Sequence, residues 1–343
     1  MNYEVTIGIP VYKSTRYIEQ TMLSALSQTL KNIEFLIVDD CGNDGTIEKL
    51  EVIMSSHPRG NEIRILHNDI NRGVSYCRNR IINEARGRYL YFMDSDDLIE
   101  SDTIEVLYNS LTDKDAQVAY GSYDIIDEDN KFFNEIFRKP SIFIDGKFKF
   151  ASFVFENVKL FHVSVCNILF DIIFLRNTGV KFIDASYWED MAFSTEIAVR
   201  VNKAVTVSDI TYHYIYHTDS LSHRMKREMA LRDEVINNMS VLNYLKKKLL
   251  HDKKLDYVPY LCYNLEMVSF YLVCNIIKKK QLICPAIPEG EMRDILRTPF
   301  SLIDILGFKC KRIRNLLFAL VCRMPSPLFL LVVKIIGKIK KAI

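Results

Sequence analysis

Along the first hundred residues, the apolar positions switch between two periods. Short β-branched or aromatic runs, VTIGIP (5–10), EFLIVDD (34–40), EIRIL (62–66) and RYLYFMD (88–94), each close on turn residues. Between them, Thr15 to Leu30, Thr46 to Ser56 and Gly73 to Arg86 carry apolar residues at helical spacing. Near-continuous apolar strands alternating with helices predict a parallel, doubly wound α/β sheet with helices on both faces. From 116 to 220 the pattern mixes strands such as AQVAYGSYDII (116–126) with a helix predicted from Glu189 to Arg200. Beyond Met225, Leu, Ile and Tyr recur at helical spacing, which predicts a mostly helical region.

Length and composition narrow this picture little. The 343 residues suffice for one large core or two domains. The opening MNYEVTIGIPVY has no basic segment followed by an apolar one, so no secretory signal is expected. Eight cysteines stand singly with no C-x-x-C spacing. They predict neither a disulfide framework nor a zinc site, and they fit a reducing cytoplasm.

Charge changes the picture more. After Asp304 there are nine Lys or Arg residues and no Asp or Glu, whereas residues 1–304 hold 36 basic and 43 acidic residues, a balance of −7. A nucleic-acid protein would carry its basic charge on the folded body, so no nucleic-acid partner is expected. A basic tail on an acidic body predicts contact with an anionic surface.

Candidate chemistry collects at the strand ends. Three of the predicted strands deliver Pro10 and Tyr12, Asp39 and Asp40, and Asp94 to Asp97 beyond their carboxyl ends, where open α/β sheets bind ligands. One Asp after one strand is turn chemistry; acidic pairs after two strands of one sheet point to a shared polar ligand. The run Asp94-Ser95-Asp96-Asp97 sets three like charges in four positions directly after a buried strand. Asp residues at i and i+2 can share a hard divalent cation that also holds phosphate oxygens, which removes the repulsion. Neither G-x-G-x-x-G nor G-x-x-x-x-G-K-[ST] occurs, so dinucleotide oxidoreductases and P-loop enzymes lose support. A phosphatase nucleophile motif would want Thr or Val where Leu98 stands. A hydrolase using Asp94 or Asp96 with Asp190 would leave Asp39 and Asp40 unexplained.

Four blocks occur in an informative order: VTIGIPVYKSTRYIEQTMLSALSQTLKNIEFLIVDDCGNDGT (5–46), NRGVSYCRNRIINEARGRYLYFMDSDD (71–97), VCNILFDIIFLRNTGVKFIDASYWEDMAFS (165–194) and YHYIYHTDSLS (212–222). Together they resemble the family 2 glycosyltransferases, inverting enzymes with the Rossmann-like, nucleotide-diphospho-sugar transferase fold called GT-A. The resemblance covers about the first 220 residues. It implies a GT-A α/β domain with a C-terminal helical region, a UDP-sugar donor, Mn2+ or Mg2+, and a glycan or lipid-linked glycan acceptor in bacterial surface-polysaccharide synthesis. It also implies roles. Pro10 and Tyr12 open the nucleotide pocket, with the Tyr ring near the base, Asp39 meets the uracil edge, and Asp40 supports that turn. Arg78 meets the diphosphate, with His217 nearby. Asp94 lies near the ribose and Asp96 on the metal, with Ser95 between them in the donor pocket. Asp190, in the W-E-D stretch, is the general base. The chain departs from the family pattern at Lys13, where Asn is usual, and at Cys41, where Gly is usual.

Other readings stand beside these. Glu189 and Asp190 also suit the first turn of a helix; of the two, Asp190 is assigned the chemistry. Trp188 could stack on an acceptor sugar or fill core, and His213 is expected to pack or hydrogen-bond locally. A catalytically degenerate glycan-binding or scaffold subunit is the non-enzymatic alternative. The organisation expected is a catalytic domain over 1–225, with a nucleotide half (1–115) and an acceptor half (116–225), a helical region over 226–307, and a tail over 308–343. In the tail, Lys334, Lys338 and Lys341 recur at i, i+4 and i+7 beside Leu331, Ile335 and Ile339. That pattern predicts a basic amphipathic helix lying in an anionic membrane interface, hence a peripheral protein on the inner face of the cytoplasmic membrane. A homo-oligomer is compatible with the sequence.

Overall fold

The computed structural model describes residues 3–127, 132–161, 164–217 and 231–342. The chain divides into two compact units: Met1–Phe150 with Lys159–Asp184 and Arg200–Leu221, and Ala151–Val158 with Ala185–Val199 and Ser222–Ile343.

The first unit opens as the apolar pattern predicts: β1 (Tyr3–Val11), α1 (Ile18–Leu26), β2 (Ile33–Asp39), α2 (Thr46–Ser56), β3 (Ile63–His67), α3 (Val74–Glu84) and β4 (Gly87–Phe92). It continues through β5 (Leu98–Ile99), α4 (Thr103–Thr112), β6 (Val118–Asp127), β7 (Phe132–Phe137), β8 (Ile142–Asp145), the start of α5 (Lys149–Glu156), β9 (Ile168–Asp171) and α6 (Ile172–Thr178). After α7 (Glu189–Ala198), which belongs to the second unit, β10 (Lys203–Tyr216) completes the sheet.

The sheet runs β3-β2-β1-β4-β9-β6-β10-β5, with β7 on β6 and β8 on β10. The four strands read from the first hundred residues are parallel neighbours, as their apolar runs require. β9 enters antiparallel between β4 and β6, so the full sheet is mixed. Nothing in the local pattern of ILFD announces that insertion. Every residue of β2 is buried, including Glu34. Its carboxylate accepts from Thr6 Oγ1 at 2.7 Å, Arg64 Nε at 2.9 Å and the Arg86 backbone N–H at 2.8 Å, which compensates a charge buried within the sheet. The helix expected over Thr15 to Leu30 is shorter, because residues 14–17 form a turn and Ser27 ends it.

The second unit is helical, as expected beyond Met225: α8 (Leu231–Leu249), α9 (Val258–Lys278), α10 (Glu289–Leu296), α11 (Leu302–Leu306), α12 (Arg312–Val321) and α13 (Ser326–Ile339). The expected boundary near residue 225 lies outside the described residues. Phe270, Val273 and Cys274 of α9 pack with Leu296, Val321, Cys322, Phe329 and Val333 in one core. The basic C-terminal segment is therefore part of this unit's interior rather than a loose appendage. Its last helix ends at Ile339, so Lys341 follows the final turn instead of sharing a helical face with Lys334 and Lys338. Among the described residues, α9 alone is long and apolar enough to cross a bilayer by length and composition, and it is mostly buried in this core.

Candidate active site

The parallel register fixes the first half of the site. Val11 lies opposite Asp39, and Gly8 opposite Phe92, so the ends of β1, β2 and β4 release their polar residues side by side. The Asp40 N–H donates to Val11 O at 2.9 Å and the Met93 N–H to Gly8 O at 3.1 Å, carrying the alignment one residue past the strands.

At the end of β2 the two carboxylates divide their work. Asp39 Oδ1 accepts from the Cys41 N–H at 3.1 Å, and Oδ2 lies 2.9 Å from His67 Nδ1. Asp39 borders an open cleft that it shares with Val11, Lys13, Gly42 and Asn43. Asp40 turns the other way. It accepts from Asn68 Nδ2 at 2.7 Å and from the Arg72 and Gly73 N–H groups at 2.8 Å each. It thus staples the loop that starts α3, where Gly73 holds φ at 83°. The Tyr12 ring is exposed, with the Lys13 ammonium 5.2 Å from its centroid.

The acidic run after β4 resolves into three different environments. Asp94 Oδ1 accepts from Arg78 Nη2 at 2.9 Å; Arg78 is buried on α3 and lies over the Phe182 ring. Asp96 Oδ2 lies 2.8 Å from His217 Nε2, just past the end of β10. The His217 ring stacks on Tyr17 with centroids 4.6 Å apart. Its Nδ1 is buried without a hydrogen-bond partner among the described residues. Ser95 Oγ meets Ser14 Oγ at 2.6 Å, tying the run to the start of α1. Asp97 turns inward and accepts from Tyr212 OH at 2.5 Å and the Ile215 N–H at 2.9 Å. Burial, then the charges of Asp96 and Asp94, hold its pKa well above the ordinary carboxylate value. The crowding of like charges is relieved by one guanidinium, one imidazole and one carboxyl removed into the interior.

Asp94 Oδ2 and Asp96 Oδ1 have no hydrogen-bond partner among the described residues. No three His, Cys, Asp or Glu side chains converge on a common metal position among those residues. Two hard carboxylate oxygens without a closed cage suit a divalent cation that completes its shell with phosphate oxygens and water. The residues present fit such a group.

Sequence reasoning did not single out Tyr212 or His67, which hold Asp97 and Asp39 from distant segments, or Tyr17, which stacks on the His217 ring that holds Asp96. His213 bonds locally, as expected, between Asp124 at 2.7 Å and Glu100 at 3.0 Å. Asp190 lies in the second unit, at the N-terminus of α7, where its Oδ1 accepts from the Met191 N–H at 2.7 Å. Trp188, just before that helix, holds φ at 63°, an uncommon value for a bulky residue. Asp190 is more open to solvent than Glu189, which is buried.

The family model for glycosyl transferase family 2 matches residues 6–176, the segment that carries β1 to β4 and the acidic run. The chain belongs to this family. Among relatives of this glycosyltransferase is the Escherichia coli UDP-Glc:alpha-D-GlcNAc-diphosphoundecaprenol beta-1,3-glucosyltransferase WfaP, 28% identical over 69% of this chain and 87% of WfaP. The fold resembles that of S. aureus TarS 1-349 in complex with UDP-GlcNAc, with a TM-score of 0.66 at 15% identity over 93% of this chain and 90% of TarS 1-349. It also resembles the mannosyltransferase PcManGT from Pyrobaculum calidifontis in complex with GDP-Man and Mn2+, with a TM-score of 0.52 at 17% identity over 94% of this chain and 87% of that one. These likenesses establish a GT-A fold for this glycosyltransferase, with helices in its C-terminal region.

Proposed function

We propose that this glycosyltransferase moves a hexose or N-acetylhexosamine from a UDP-sugar to a hydroxyl of a glycan or lipid-linked oligosaccharide, with inversion, in bacterial surface-polysaccharide assembly at the cytoplasmic membrane. The observation that carries the reading is the pair Asp94 and Asp96. Each is braced by a basic side chain through one oxygen and keeps its other oxygen without a partner among the described residues. The name of WfaP and the UDP-GlcNAc bound to TarS favour UDP as the nucleotide.

Each residue then has a definable task. Asp39, oriented by His67 and the Cys41 N–H, offers a fixed acceptor to an imide N–H of a base in the cleft beside it. The exposed Tyr12 ring next to Pro10 supplies a face for that base. A divalent cation held at Asp94 and Asp96 would supply Lewis-acid stabilisation of the departing diphosphate. Arg78 and His217 keep the two carboxylates in place against their mutual repulsion and add basic groups beside the diphosphate. Asp190 takes the proton of the acceptor hydroxyl as the new bond forms. In-line attack from the face opposite the leaving group gives inversion at the anomeric carbon.

Thermal shift and calorimetry with UDP, Mn2+ and Mg2+, followed by a nucleotide-sugar screen, test the reading. Asp96→Asn should abolish transfer and metal-dependent UDP binding, whereas Asp190→Asn should abolish transfer and leave UDP binding intact. Equal loss of binding in both would overturn the division of roles. No metal-dependent stabilisation by any nucleotide would favour a scaffold subunit instead.

A further inference from the structure

The C-terminal helices have two opposite characters. On α12, Asn315, Ala319 and Val321 face the core, with Cys322 just after them; on α13, Phe329, Val333 and Gly337 do so. The outward side of each helix is apolar as well. Ile313, Leu317 and Leu320, at i, i+4 and i+7 on α12, are exposed, Ile313 by 73%. Leu328, Leu331, Ile335 and Ile339 form a second exposed row on α13, and α11 adds Ile303, exposed by 80%, and Leu306. Water-facing rows of Leu and Ile on neighbouring helices are what a soluble surface avoids unless something covers them.

The charges beside these rows say what covers them. Arg312, Arg314 and Arg323 flank the α12 row, and Lys334 and Lys338 adjoin the α13 row, all exposed. Lys340 and Lys341 follow at the end of α13. No acidic residue follows Asp304, whose own carboxylate is taken by Ser301 and Lys253. Lys334 and Lys338 make no ion pair among the described residues. A second copy of this chain would bring an equally basic face to the contact, an arrangement that repels. An anionic bilayer presents both complements at once: headgroup phosphates for the cations and acyl chains for the Leu and Ile side chains. Neither helix is long enough to span the hydrocarbon core.

We propose that the outward face of α12 and α13, extended by α11, docks on an anionic phospholipid bilayer with the helices lying in the plane of the interface. The proposal deepens the reading of a lipid-linked acceptor and rests on it for its purpose, but its test does not depend on catalysis. The surface differs from the separate tail helix suggested by sequence. It is a rigid face whose reverse side is core, so binding needs no coupled folding.

The test is co-sedimentation of the full chain with phosphatidylglycerol/phosphatidylcholine vesicles and with phosphatidylcholine alone. Truncation is unsuitable, because removing Phe329 and Val333 opens the core. Two surface variants serve instead: Lys334→Gln/Lys338→Gln, and Leu317→Gln/Leu331→Gln/Ile335→Gln. The full chain should pellet with the anionic vesicles only. The lysine variant should bind about 30-fold more weakly, since each cation contributes about 1 kcal/mol at such a surface. The apolar variant should lose more than about tenfold, because its side chains insert below the headgroups. Both variants should keep the parent melting temperature and UDP binding. Failure of the full chain to pellet, or variants that pellet like the parent, overturns the docking surface. So does an apolar variant that turns a dimer into a monomer while vesicle binding is unchanged. Loss of UDP binding by the parent chain would instead strike at the catalytic reading and leave the pelleting result standing.

Discussion

Cys41 and Lys13 depart from the family pattern at positions whose backbone makes the departure costly. Cys41 has φ 61° and Lys13 φ 53°, both in the left-handed region. The usual residues there, Gly and Asn, are the types that tolerate this region best. A side chain with a Cβ costs about 1–2 kcal/mol there. Glycine gives back about 0.5–1 kcal/mol through the larger freedom of its unfolded chain. The Cys41 thiol itself holds little in place: its Sγ lies 3.4 Å from Asn43 Nδ2 and 3.9 Å from Asp69 O, both weak hydrogen bonds. Cys41→Gly should therefore stabilise the first unit by about 0.5–1 kcal/mol, a rise of roughly 1–4 °C for a unit of this size. Cys41→Val should lower stability, because a β-branched residue suits the region least. Gly42 is a useful contrast, since its need is for space: a Cβ there would sit 2.8 Å from the backbone nitrogen of Lys13. Gly42→Ala should cost about 1–3 kcal/mol through the forced shift. Differential scanning calorimetry reads all three. UDP affinity should stay unchanged in Cys41→Gly, which keeps the N–H that donates to Asp39. A lower melting temperature for Cys41→Gly, or no difference between Gly and Val at this position, would refute the strain argument.

Three further outcomes are expected. Glu34→Ala should cost about 3 kcal/mol or more in urea unfolding, because it strands the buried Thr6 hydroxyl, the Arg86 N–H and the Arg64 guanidinium together. His217→Ala should raise the UDP dissociation constant about tenfold in calorimetry by releasing Asp96, with no change in secondary structure by circular dichroism. In the helical unit, burial above all pushes the Glu266 carboxyl up from 4.5 to about 8 and the Lys246 ammonium down from 10.5 to about 8. A raised acid loses its stabilising contribution as pH climbs from 4.5 to about 8, and a depressed base regains its own between about 8 and 10.5. Glu266→Gln should remove the first slope and Lys246→Met the second, read as the parent-minus-variant difference in melting temperature across pH.

What the sequence determined by itself is the part in which neighbours in the chain remain neighbours in the sheet. Apolar runs ending in Pro10, Asp39 and Asp94 specify parallel strands whose carboxyl ends share one edge, so the first four strands of the sheet and the acidic residues at their ends can be placed from the chain alone. The helical character beyond residue 225 is legible for the same reason, since periodicity is local. The tertiary structure decided what depends on distant segments. β9 reverses direction between β4 and β6, and no local preference encodes a partner. Asp94, Asp96 and Asp97 are identical in type and nearly adjacent, yet their different states are set by Arg78, His217 and Tyr212, 16, 121 and 115 residues away. The basic C-terminal segment reads as a single amphipathic tail, because composition reports charge and apolarity without saying which apolar side chains find a core. Only the packing against α9 separates Phe329 and Val333, which hold the unit together, from Leu331 and Ile335, which remain on its surface.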